Sequence, residues 1–232
     1  MSAGRWARPV ALVGAAAFVF AAVWSALVGF EVVVSGPPEG AGADLEAEMR
    51  AYWAWYAGTV PARQATSFTL LIALAALAVV SAGLAAARPG RVAATAAGVV
   101  VAGALFWAIA ACVRLGTDKA IALLATHENP IEPTNSIAFT ASWLATGFES
   151  VGSLLAGAGV VALTVTTAGR RPLAVATGAA LAALGVCLYL PVGDLQPWVQ
   201  LAAGAVLLPC WLVATATQSD MSMQMSINSI VD

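Results

Sequence analysis

The chain has 232 residues, of which 61% are hydrophobic and 9% charged, with a formal net charge of −2. Soluble domains carry roughly 25% charged residues, and no soluble fold of this length could hide so much apolar surface. The acidic balance, with no Lys/Arg cluster to neutralise phosphates, argues against a nucleic-acid partner.

The apolar residues come in long unbroken runs, as a bilayer core of about 20 residues per helix requires. The first run is Pro9 to Val34. Arg5 and Arg8 precede it, but it is far longer than the ~7–15 apolar residues of a signal peptide and is expected to be an uncleaved first span. The second, Ser67 to Ala87, ends at the tight basic turn Arg88-Pro89-Gly90-Arg91, and the third runs from Val92 to about Val113. The stretch Ile137 to Ala168 is too long for one untilted span. Its first third is polar and aromatic (Thr140, Ser142, Trp143, Thr146), so a short interfacial piece leading into a span from about Phe148 is expected. The fifth run is Leu173 to Val192 and the sixth Val199 to Thr217.

The fold expected is therefore all-α: a single polytopic membrane helix bundle over 1–217, with about six transmembrane helices. The predicted spans are 9–34, 67–87, 92–113, 148–168, 173–192 and 199–217, with outer loops 35–66 and 114–147 and a polar tail at 218–232. Orientation follows from arginine placement. With the N-terminus inside, Arg5, Arg8, Arg88, Arg91, Arg170 and Arg171 are cytoplasmic, and every acidic residue except Asp220 and Asp232 of the tail lies on the outer side. Both termini are then cytoplasmic. The multi-pass chain is expected in the plasma membrane, and its alanine, glycine and arginine usage points to a GC-rich bacterium.

The outer loops carry structure of their own. Asp44 is placed to cap a helix reaching about Tyr56, in which Leu45, Met49, Tyr52 and Tyr56 recur at helical spacing. With Trp53 and Trp55, this segment reads as an aromatic interfacial helix lying at the headgroup level. The second loop contains a short helix, Asp118 to Ala125, followed by the proline-punctuated stretch Thr126 to Asn135.

Glu149, at or just within the membrane, leads the site candidates, because an unpaired carboxylate there costs several kcal/mol. Glu31 near the end of the first span and Arg114 at the end of the third should share its depth, with Asp194 as a further member. The functional reading is an outward-opening polar pocket lined by Trp24, Trp107, Trp143 and Trp198. The competing reading has Arg114 neutralising one glutamate while the remainder meet water or headgroups. Trp53, Trp55, His127 and Glu128 are further candidate ligand contacts, although one His beside one Glu in a loop is ordinary solvated sequence.

No cofactor or metal is expected. A single histidine cannot supply paired haem or copper ligands. Cys112, Cys187 and Cys210 sit singly in apolar runs and read as buried small hydrophobes. The Met221, Met223, Met225 series offers soft ligands without Cys or His support. No lysine falls within a predicted span, which argues against a retinal Schiff base.

Three functions fit. The first is a membrane protein binding an amphipathic ligand or a partner membrane subunit through its outer face, with membrane lipids around it. The second is an intramembrane enzyme using Glu149 or Glu31 as acid or base in an isomerisation or cyclisation of a lipophilic substrate. The third is a cation- or proton-coupled transporter, which the absence of ionisable residues in the cytoplasmic halves of the spans disfavours.

Overall fold

In a medium without water every backbone N–H and C=O must be satisfied within its own segment, so long apolar runs fold as helices. The computed structural model describes residues 4–36, 44–87, 90–125, 131–165, 171–188, 190 and 195–217. All regular structure among them is helical: α1 (Gly4–Gly29), α2 (Leu45–Ala87), α3 (Arg91–Leu124), α4 (Ile131–Val165), α5 (Arg171–Cys187) and α6 (Leu195–Thr217). Five of these are long and apolar enough to cross a membrane, and α5 is a shorter apolar helix. The chain is thus an all-helical bundle of the multi-pass membrane type.

Each helix packs on the next, and α6 returns to α1, so the six close into a ring in chain order. Phe18, Leu77, Val100, Val160, Leu181 and Leu208 fill the interior. Trp211 of α6 reaches across to α4, where its indole N–H donates to Thr164 Oγ1 at 3.1 Å. Leu12, Phe20, Ile72, Leu105 and Val151 point outward and are exposed. An apolar belt of that kind suits hydrocarbon rather than water.

The helices differ from the expected spans at one end of the bundle. The aromatic segment is not a separate interfacial helix: α2 runs unbroken for 43 residues, about 65 Å at 1.5 Å per residue against a hydrocarbon core of about 30 Å. Gly58, Pro61 and the polar Arg63-Gln64 imitate a break. Burial of Thr59 and Val60 and the bond from Trp24 Nε1 to the Ala62 carbonyl, 3.0 Å, hold the helix through them. Likewise the short helix expected from Asp118 is the upper part of α3, and the piece expected before Phe148 is the upper part of α4. Pro133 falls in the first turn of α4, where a missing N–H costs nothing.

The upper parts of α2, α3 and α4 thus form a helical canopy where loops were expected, tied by Trp53 Nε1 to Asn135 Oδ1, 2.9 Å, and Tyr56 Oη to Asp118 Oδ1, 2.7 Å. Asp44 does cap α2, accepting from the Glu46 N–H at 3.0 Å. α5 ends at Cys187, short of the expected Val192. The tail at 218–232, His127, Glu128 and Asp194 lie outside the described residues.

Small residues recurring at four-residue spacing in α4 set the tightest contact. A Cβ at Gly103 would sit 2.5 Å from the Ala156 nitrogen, and one at Gly152 would sit 2.8 Å from the Gly103 oxygen and 2.9 Å from the Trp107 nitrogen. On the other side of α4, Gly157 and Gly178 meet backbone to backbone in the same way. Gly98, by contrast, faces open space. Gly152→Ala is expected to lower stability by about 1–3 kcal/mol through overpacking. Gly98→Ala should be neutral or stabilising by up to about 1 kcal/mol, since it removes only backbone freedom. Thermal unfolding of the two variants in one detergent checks the contrast; equal behaviour would mean that α3 and α4 do not touch through their backbones.

Candidate functional site

The canopy end of the ring encloses a cavity of about 520 Å³, within the range typical of small-ligand sites. Four elements build it. The end of α1 and the residues after it contribute Ser25, Val28 and Glu31; α2 contributes Tyr52, Trp55, Tyr56, Arg63 and Thr66; α3 contributes Arg114, Thr117 and Asp118; α4 contributes Ala138, Ala141 and Ser142.

Helical spacing explains the α2 wall, since Tyr52, Tyr56, Thr59 and Arg63 follow one another at steps of three or four residues on a single face. Arg63 lies over the Tyr56 ring, its guanidinium carbon 4.5 Å from the centroid, and its Nε donates to Thr59 Oγ1 at 3.0 Å. The Tyr56 hydroxyl donates to Asp118, which is only 5% exposed. Burial is the largest influence on the Asp118 carboxyl and pushes its pKa above the ordinary 3.8, although the Tyr56 hydrogen bond, Arg63 and Arg114 all pull the other way. Burial, then the neighbouring carboxylate, raises the Tyr56 phenol as well. The phenol therefore keeps its proton and serves as donor.

Arg114, one turn below Asp118 on α3, forms an ion pair with the buried Glu149 of α4. Their register follows from the glycine contact. Trp107 lies against Gly152, so Arg114 starts about 6 Å, or four residues, nearer the canopy and extends its side chain inward. Beneath the pair is a chamber of about 50 Å³ bordered by Ser25, Ser67, Trp107, Glu149, Gln200 and Gly204, enough for a few waters. On its α6 side the helix relaxes to π geometry over Ala202–Leu207, and Gln200 Nε2 donates to Ser25 Oγ at 3.3 Å.

The end of α1 adds the remaining carboxylate. The Glu31 N–H bonds the Val28 carbonyl at 3.2 Å and the Val32 N–H bonds the Leu27 carbonyl at 2.9 Å. This pair is a Schellman cap that places Glu31, at φ 59°, in the left-handed position usually taken by glycine. Trp55 Nε1 donates to the Ser35 carbonyl at 2.6 Å and fastens this segment to α2.

Of the candidates named from sequence, Glu31, Arg114 and Trp55 share the main cavity, and Glu149 and Trp107 border the chamber below it. Arg114 is paired with Glu149, while Glu31 forms no ion pair among the described residues. Trp53 is buried and serves as a clasp to Asn135. Trp143 faces outward beside Phe139, Trp198 is exposed beside Phe30, and Trp24 is spent on Ala62, so none of these three lines the cavity. Tyr56, Arg63 and Asp118 were missed as site residues. Extending the Tyr52–Tyr56 spacing by two further turns would have found Arg63, but ending the helix at Tyr56 concealed it.

Because the Asp118 pKa is higher folded than unfolded, between the two values the folded chain holds a proton that the unfolded chain has lost. Stability attributable to this group therefore falls as pH rises from about 4 through the raised value, then levels off. Asp118→Asn should flatten that part of the profile when its unfolding midpoint is compared with wild type from pH 4 to pH 7. A profile unchanged by the substitution would mean that the carboxyl is hydrated. No described protein family, curated protein or solved structure matches this chain.

Proposed function

We propose that this chain is a small integral membrane protein that binds an amphipathic ligand in the canopy cavity. The ligand's polar end lies among Arg63, Arg114 and Asp118, and its apolar part extends along the bundle. One observation carries this reading: guanidinium, carboxylate, phenol and indole groups from α2, α3 and the cap after α1 converge on one ligand-sized cavity in a chain with only 9% charged residues. Holding charge near hydrocarbon is costly, and such groups mark binding or transport paths far more often than they stabilise a bundle.

The arginine-bearing end, with Arg8, Arg91 and Arg171, faces the cytoplasm in this proposal, and the cavity opens outside, in the plasma membrane of a bacterium. The arginine asymmetry of the sequence supports that orientation. An alkaline phosphatase reporter inserted after Gly36 should be active in cells, and one fused after Asp232 inactive; the reverse pattern would invert the topology.

A second reading, acid–base chemistry on a lipophilic substrate, draws support from Asp118 rather than from Glu149 or Glu31. It is a buried carboxyl with a raised pKa at a cavity wall, an arrangement suited to a proton donor.

Native mass spectrometry of the protein gently extracted from its own membrane tests the binding reading, with Arg63→Gln beside wild type. A bound small molecule retained by wild type and lost at least tenfold in the variant is the expected result. A second polypeptide retained by both forms, with no small molecule, would replace the ligand reading with that of a partner subunit.

A further inference from the structure

If the chain binds an amphipath, the charges of the cavity narrow which one, so this inference rests on the binding reading. Two guanidinium groups, Arg63 and Arg114, and two carboxylates, Glu31 and Asp118, line the same space. A ligand of one sign would set its charge against a like charge where water is partly excluded and the repulsion is stronger. Glu149, behind Arg114, already offsets part of that cation and disfavours a simple anion further. A net-neutral ligand bearing both signs avoids both costs.

The charges are also ordered along the bundle axis. The bond from Trp24 to the Ala62 carbonyl sets residue 24 of α1 level with the residue beside Arg63. α1 continues five residues further to Gly29, roughly 8 Å nearer the canopy end at about 1.5 Å per residue, and Glu31 sits just beyond it in the cap. The bond from Trp55 to Ser35 fixes the upper level independently, and the Tyr52 and Trp55 rings border the cavity there. Arg114, drawn toward Glu149, therefore lies deepest; the Arg63 guanidinium reaches up to the Tyr56 ring, and the Glu31 carboxylate with the Tyr52 and Trp55 rings lies toward the mouth. A phospholipid with a zwitterionic head group has the same order, its phosphate nearer the chains and its ammonium beyond. Arginine is suited to phosphate oxygens and a carboxylate among aromatic faces to an ammonium.

Glu31 supplies an independent observation. An L-residue at the left-handed capping position strains the backbone where glycine would not, and such strain concentrates at ligand sites. The cap alone would be better served by glycine, so its geometry does not itself call for a carboxylate here.

We infer that the cavity receives the head group of a zwitterionic phospholipid, its phosphate between Arg63 and Arg114 and its ammonium against Glu31, Tyr52 and Trp55. Delipidated full-length protein in detergent, titrated with phosphatidylethanolamine, phosphatidylcholine, phosphatidylglycerol or an alkyltrimethylammonium surfactant and read by native mass spectrometry, tests it. The expected result is retention of the two zwitterionic lipids at least tenfold above the other ligands. Glu31→Gln should abolish that preference over phosphatidylglycerol, and Glu31→Gly should abolish it while raising the unfolding midpoint, which separates lost binding from lost folding. Equal or stronger retention of phosphatidylglycerol or of the cationic surfactant would overturn the inference and leave the binding reading standing, as would a preference that survives in Glu31→Gln. Retention of none of the four would overturn both.

Discussion

The backbone contact between α3 and α4 is the constraint on which the remainder of the structure depends. Where Gly103 and Gly152 face each other, no side chain separates the helices, and neither can slide without driving a Cα into the opposite backbone. In a membrane such packing replaces the hydrophobic effect as the force between helices, because lipid tails are as apolar as leucine. The contact therefore fixes register as well as proximity. With register fixed, Arg114 is held one turn above Glu149, and Asp118 is carried one turn further into the canopy, level with Tyr56 of α2.

The ionisable groups are arranged so that few are left to hydrocarbon. Glu149 is buried but paired, with the long arginine side chain reaching inward to it while remaining 41% exposed itself. Breaking such a pair leaves an uncompensated buried charge, so the arginine is tied to its position even though the pair as a whole contributes little net stability. Asp118 is handled differently, by a phenol donor and a stacked guanidinium nearby rather than by a direct ion pair. The two carboxylates mark two levels of one polar path, the wide cavity above and the small chamber below, and Arg114 borders both.

The lower chamber abuts the one stretch of π-helix among the described residues, Ala202–Leu207. A π segment frees helix positions from regular spacing and recurs beside functional sites. Here it lies in the same helix as Gln200, whose amide reaches Ser25 of α1, so the α6 side of the chamber is shaped by backbone irregularity while its α3 and α4 sides are regular α-helix. Together with the strained cap at Glu31, it puts the departures from regular geometry at the edges of the polar path and leaves the apolar core regular.

Composition and run length alone determined that the chain is a helical membrane bundle, because only uninterrupted helices satisfy the backbone of such apolar stretches. The small residues of α4, the Asp44 cap and the shared depth of Arg114 and Glu149 were also legible, since each depends on spacing within one segment or on counting from a span's end. What the sequence could not show was where helices stop. Gly58, Pro61 and the polar residues of the canopy look like boundaries in isolation, yet Trp24, Asp118 and Asn135 from other helices hold α2 continuous through them. For the same reason Arg63 looked like an ordinary loop residue, Asp118 like the start of a short helix within a loop, and Trp143 like a pocket wall. Which face of a helix meets a cavity is decided by its neighbours, and those neighbours are set by a contact between two glycines forty-nine positions apart.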